Sequence, residues 1–198
     1  MDEIVARAMQ KWPDVPNVFG WLRLDRRGRW LVKSRSGAFE RIGNAAVTAF
    51  IGRNYGADAK GRWFFQNGPQ RVFVSLDYTP WVLRLSDDSG CLLAHNDVPF
   101  GTPSSLLLDE QGQLLVASAS GVGVVSDRDL QLLFERLDRE NPADDGGVPL
   151  DERLAAGSLT ALRLFGVEVP LRGVISSAVA DEFGFNPDPR PAPGEPDC

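Results

Sequence analysis

Two stretches of the chain carry the same succession of apolar and polar positions, 84 residues apart. Residues 22–37 read LRLDRRGRWLVKSRSG and residues 106–121 read LLLDEQGQLLVASASG. Asp25, Gly28, Leu31, Val32, Ser34, Ser36 and Gly37 thus recur as Asp109, Gly112, Leu115, Val116, Ser118, Ser120 and Gly121. In each copy two apolar runs flank a D-x-x-G turn, the pattern of a β-hairpin whose Asp opens a type I turn and whose Gly takes the left-handed conformation. Leu22, Leu24, Trp30 and Val32 alternate with Arg23, Arg29 and Leu31, so one face is apolar and the other mixed. A helical pattern follows each hairpin, at 44–55 and 127–137, with the offset now 83. Asn44 and Ser126 are the expected caps, and Leu130, Leu133, Phe134 and Leu137 form the core stripe of the second helix.

Outside the repeat, Ile4, Val5, Ala8, Met9 and Trp12 share one side of an N-terminal helix that Trp12-Pro13 should end. Trp63–Phe65 and Arg71–Val74 read as strands around an Asn67-Gly68 turn, and Trp81–Leu85 as a third strand after Pro80. A further D-x-x-G turn is expected at Asp87-Asp88-Ser89-Gly90. Residues 121–125 read as a strand, 138–157 as an acidic surface loop with a helical turn at 150–155, 158–175 as closing strands and 176–183 as a last helix. From Asn186 onward, five prolines in thirteen residues predict a disordered tail. The expected organisation is an N-terminal helix (1–13), a β-rich subdomain 1 (14–100), its repeat as subdomain 2 (101–185) and the tail (186–198). The fold class is α+β, mostly antiparallel β, with each subdomain a curved sheet packed on one helix and the two copies packed on each other.

Composition narrows the function. The chain has 198 residues, and its 43% apolar and 24% charged content is that of an ordinary globular protein. A net charge of −6 argues against nucleic acid, whose binding is driven by a basic field. The local basic residues Arg23, Arg26, Arg27, Arg29, Lys33 and Arg35 read as a solvated hairpin tip and strand face. No apolar run approaches the ~20 residues that span a bilayer, and the N-terminus lacks the apolar stretch of a secretory signal, so the location read is cytoplasmic.

Candidate chemistry is sparse. The single histidine, His95, lies in Ala94-His95-Asn96-Asp97, with no nucleophile motif to complete a catalytic set. Cys91 and Cys198 have neither metal nor disulfide-framework spacing. No catalytic residue, metal site or cofactor is assigned. GVGVVS (121–126) lacks the third glycine of a dinucleotide loop and the Lys of a P-loop. The carboxylates Asp77, Asp87, Asp88 and Asp97 read as turn residues. The candidate ligand-binding set is Arg53, Asn54 and Tyr55 at a helix end with Asp77, Tyr78 and Trp81 in the loop Asp77-Tyr78-Thr79-Pro80-Trp81, polar-aromatic loop edges on a rigid scaffold.

The segment from Arg41 to Leu85, with Lys60-Gly61-Arg62-Trp63-Phe64-Phe65 and Asp77-Tyr78-Thr79-Pro80-Trp81, resembles an uncharacterised family of short proteobacterial proteins. It is similar, more distantly, to a family of unknown function with tandem β-domains like pleckstrin-homology folds. That resemblance implies a PH-like fold and a signalling role, and transfers no catalytic residue. The expected function is a non-enzymatic binding or regulatory module for a protein or small ligand. Two alternatives stand beside it: a structural protein that homo-oligomerises, and an enzyme with a carboxylate-based site.

Overall fold

The computed structural model describes residues 1–12, 15–88, 90–142, 148, 150–157 and 159–194, with the side chains at 151 and 155 left aside. Pro13, Ser89 (within the expected DDSG turn), much of the acidic loop and positions 195–198 of the tail lie outside those residues. The fold is α+β and mostly strand, in two β-rich units: Met1–Pro80 with Ala180–Cys198, and Trp81–Val179.

The first unit opens with helix α1 (Glu3–Lys11), followed by β1 (Val18–Leu24), β2 (Trp30–Lys33), β3 (Phe39–Arg41), α2 (Ala45–Arg53), β4 (Tyr55–Ala57), β5 (Trp63–Asn67) and β6 (Gln70–Leu76). Its six strands lie in the order β3-β2-β1-β6-β5-β4. Every pair is antiparallel except β1 with β6. The second unit holds β7 (Trp81–Leu85), β8 (Leu92–Ala94), β9 (Ser105–Asp109), β10 (Leu114–Ser118), β11 (Gly121–Val125), α3 (Leu130–Glu140), α4 (Leu150–Ala155), β12 (Ala161–Leu164) and β13 (Val167–Val174). Its order is β12-β13-β9-β10-β11-β7-β8, with β13/β9 and β11/β7 parallel. A short helix, α5 (Val179–Glu182), runs across the chain boundary between the units.

The duplication is topological. Reading β3-β2-β1-β6-β5 beside β11-β10-β9-β13-β12 matches every strand, including the single parallel pair, and a helix follows the third strand in both. What differs is an appendage: β4 beyond β5 in one sheet, the β7–β8 hairpin beyond β11 in the other. Trp81–Ala94, grouped with the first copy on sequence, pair in the second sheet because β7 hydrogen-bonds to β11.

The hairpin turns are built alike. The Asp25 Oδ1 accepts from the N–H of Arg27 and Arg29 at 2.9 and 2.8 Å. The Asp109 Oδ1 accepts from Gln111 and Gln113 at the same two distances. Gly28 and Gly112 close these turns at φ 73° and 77°, a region that favours glycine. Asp58 makes a third copy, accepting from Lys60 and Arg62 and closed by Gly61. The drop in offset from 84 to 83 also has a cause. Ser34 pairs with Ala38 across a three-residue loop, whereas Ser118 pairs with Gly121 across two.

Helix α2 is capped as expected, the Asn44 Oδ1 accepting from Ala46 and Val47. Helix α3 begins at Leu130, three residues later than the pattern suggested, because 126–129 form a turn in which the Asp129 N–H donates to the Ser126 carbonyl. Leu133 and Leu137 are fully buried, with Leu130 and Phe134 packed beside them. The β5–β6 turn is Gly68-Pro69 rather than Asn67-Gly68, since Asn67 pairs with Gln70 and Gly68 has φ 57°.

The proline-rich segment expected to be disordered is instead docked on the first unit through Asn186–Pro189. The Asn186 N–H donates to the Gly61 carbonyl at 2.9 Å, and the Pro187 carbonyl accepts from the Leu76 N–H at 2.8 Å. Phe185 and Pro189 are buried. Proline lacks a donor but keeps its acceptor, so such a segment can still satisfy a strand end. The close approach needs Gly61, whose Cβ would sit 2.2 Å from the Gly184 oxygen.

Candidate functional site

One face of the first sheet carries α2. The edge-to-face rings of Phe50 and Phe65, 5.4 Å apart, join the two. The opposite face is an array of arginines on phenylalanines. Phe19 stacks on Phe73 at 4.4 Å, and the Arg62 guanidinium lies 4.4 Å over Phe73. Arg71 covers Phe64 at 4.5 Å, and Arg23 covers Phe39 at 4.1 Å. Such cation–π contacts attract a charged head to the ring face, and two of these heads also meet a carboxylate, Arg62 that of Asp58 and Arg23 that of Asp77.

At one end of this face lies a half-open pocket of about 330 Å³, lined by Phe19, Gly20, Arg23, Lys33, Phe39 and Ser75 from the sheet and by 188–191 from the docked C-terminal segment. Strand pairing places these side chains together. Arg23 pairs with Ser75, and Lys33 with Phe39, in registers that put each pair on one face. Phe19 and Gly20 line the pocket through an irregularity in β1, where the three residues between Val18 and Leu22 oppose the single residue between Val72 and Val74. Gly20 sits within it at φ 71°. Bulges of this kind re-aim side chains toward sites.

The electrostatics are locally basic. Arg190 holds Asp188 through Nε and Nη2 at 3.0 and 2.6 Å. The Asp77 carboxylate stands 3.6 Å from the Arg23 Nε. Burial raises the Asp77 pKa, Arg23 opposes that rise and Asp25 adds to it. Lys33 is exposed and has no ion-pair partner among the described residues. Elsewhere, burial pushes the Asp58 carboxyl up, but hydrogen bonds from Arg62 and Lys60 outweigh it and leave the pKa lowered.

The residues expected to bind ligand fall in three places. Arg53 pairs with Asp2 at 3.3 Å. Asn54, 3% exposed, accepts from the Asp2 N–H and donates to the Phe50 carbonyl, tying α1 to the end of α2. The Tyr55 hydroxyl donates to the Pro80 carbonyl at 3.1 Å, its ring between Trp30 and Trp63. Burial raises the pKa of that hydroxyl well above its ordinary value. Tyr55 and the 77–80 loop are therefore brought together. Tyr78 is buried under the Arg26 guanidinium, 4.7 Å away, and Asp77 faces Arg23. Trp81 belongs to the second unit, where its Nε1 donates to the Ser120 carbonyl at 2.9 Å and its ring lies 5.8 Å from His95. His95 is half-buried, and desolvation of its ring lowers its pKa to about 4 against the opposing pull of Asp97. Among the described residues no group of His, Cys, Asp and Glu is arranged to hold a metal.

The pocket residues Arg23, Lys33 and Phe39 escaped the sequence reading, which took the two cations for a solvated face. A signal was present. At the repeat offset, Arg23 corresponds to Leu107 and Lys33 to Ala117, and one repeat keeping cations where the other has aliphatics marks a position with a separate task.

The sequence pattern of DUF2944, described as a protein of unknown function (DUF2946), matches residues 1–190. The chain belongs to this family. No curated protein matches the DUF2944 chain. Among solved structures it is similar to a DUF1285 family protein from Silicibacter pomeroyi DSS-3, at 15% identity and a TM-score of 0.48, over 86% of this chain and 95% of that one. No described helix is long and apolar enough to cross a membrane.

Proposed function

We propose that this protein is a non-enzymatic binding module, regulatory in role, that takes a small ligand in the pocket of its first unit. One observation carries the reading. A concave site of about 330 Å³ combines aromatic walls with a few convergent polar groups, the make-up of small-molecule sites. The rest of the first unit supports it by rigidity, since the Asp25 and Asp58 turns and the docked C-terminal segment hold the walls in place. The signalling role implied by the family resemblance suits such a module.

The test is a thermal-shift screen of the full chain against soluble metabolites, followed by Phe39→Ala. Hits should raise the midpoint saturably, and the substitution should remove the shift while leaving the ligand-free midpoint within a few degrees. Hits untouched by Phe39→Ala would move the site elsewhere.

A further inference from the structure

We propose that the occupant of this pocket is a compact oxyanion, a phosphate or carboxylate group carried by a small soluble molecule. The inference rests on reading the pocket as the ligand site and adds the chemical class.

Three cations line the pocket, Arg23, Lys33 and Arg190, against one lining carboxylate, Asp188, which Arg190 already engages. Arg23 is held in place before any ligand arrives. Its guanidinium is stacked on Phe39, its side chain is 40% exposed, and its Nε is shielded from solvent without a hydrogen-bond acceptor. Asp77, at 3.6 Å, lies beyond hydrogen-bonding distance of that nitrogen and only partly balances the charge. A planar guanidinium fixed by an aromatic face, beside a mobile ammonium, is the pairing that recognises phosphate and carboxylate groups.

The surroundings select a small soluble anion over a polyanion. The chain carries −6 overall, and a long-range field of that sign weighs against nucleic acid and anionic membranes. Gly20 keeps one wall bare, with nothing within 4 Å of where its Cβ would stand. The repeat supplies an internal control. The positions of Arg23, Lys33 and Phe39 are filled in the second unit by Leu107, Ala117 and Val122 through the matched strand registers, and all three are buried. The cations are thus not required by the fold.

Titration of the full chain with inorganic phosphate, glycerol 3-phosphate, succinate and uncharged glycerol, at ionic strength held constant with chloride, tests this by calorimetry and by NMR of the phenylalanine rings. The expected result is saturable binding of at least one anion with perturbation of Phe19 and Phe39, and none by glycerol. Arg23→Gln and Lys33→Gln should each weaken binding at least tenfold, and Lys60→Gln should leave it unchanged. Lys33 is exposed, so its variant will fold even if that of Arg23 does not. Perturbation of the rings by glycerol alone would overturn the anion class and keep the pocket. Anion binding indifferent to Arg23 and Lys33 would overturn the site itself. Ring signals unmoved by every probe, including the hits of a wider screen, would overturn both. Retention on anionic vesicles with no binding of soluble anions would overturn the proposal in favour of a membrane surface.

Discussion

The two repeats share strand order, hairpin turns and the face that carries the helix, yet they treat the reverse face of the sheet in opposite ways. In the second unit that face is aliphatic and closed, with Leu107, Leu115, Ala117, Val122 and Val124 all buried. In the first it is an arginine–phenylalanine array ending in an open pocket. The strand plan is common, so the difference lies in side chains and in two local backbone features of the first copy, the β1 irregularity and the docked C-terminal segment. A duplicated sheet needs one apolar face for its core. The other face can be aliphatic throughout, as in the second copy, or can bury aromatics under arginines and open at one end, as the first does with Phe19, Phe64 and Phe73.

The sharpest way to break this comparison is to exchange the residues that define it. Leu107→Arg should destabilise the chain by roughly 3–5 kcal/mol in urea unfolding, because it strands a charge where the native side chain is fully buried. Arg23→Leu should cost no more than about 1 kcal/mol, as its pairing with Asp77 is half-exposed. Equal effects would mean the two faces are not energetically distinct.

The next effect concerns the hairpin that only the second sheet has. His95, at the end of β8, titrates at about 4 when folded and near 6.5 when unfolded. Between those values the unfolded chain takes up a proton that the folded chain refuses, so stability falls as pH drops from 6.5 toward 4 and this contribution is constant below. The shift corresponds to roughly 3 kcal/mol, as an order of magnitude. His95→Gln should flatten that part of the stability–pH profile; an unchanged slope would remove His95 as its source.

The shared turns should respond alike. Asp25→Ala and Asp109→Ala each leave two backbone N–H groups without their acceptor and should each cost about 1–3 kcal/mol. The Asp25 variant also frees Arg29 from its ion pair. A large loss in one repeat with none in the other would show that the hairpins are alike in form only. The smallest effect separates the helices. Asn44→Ala should cost about 1 kcal/mol, whereas Asp129→Ala, whose side chain caps nothing, should change stability by only a few tenths. Guanidinium melts of the two variants would resolve that difference.

Much of this architecture is written locally in the chain. The D-x-x-G turns, the Asn44 cap, the stripe of α3 and the alternation in β1 and β2 are decided within a few residues, because side-chain-to-backbone bonds and the two periodicities act at that range. The duplication is legible for the same reason, and so is the asymmetry of Arg23 against Leu107. The candidate set of Arg53, Asn54, Tyr55, Asp77, Tyr78 and Trp81 rests on the same local cues. Cues of that kind mark polar loop edges without distinguishing a ligand site from the internal bonds of Asn54 and Tyr55.

Tertiary structure decided the rest. Nothing near β1 announces β6 as its parallel neighbour some 50 residues on, and nothing near β7 assigns it to β11. Main-chain ladders are chemically uniform, so a strand's pattern tells which face is buried and leaves its partner open. The docking of Asn186 and Pro187 beside Gly61 and Leu76 was hidden likewise, for it rests on carbonyls and close approach rather than on apolar content. The pocket exists only where these long-range choices meet, at the β1 irregularity, the β2–β3 edge and the returning C-terminal segment.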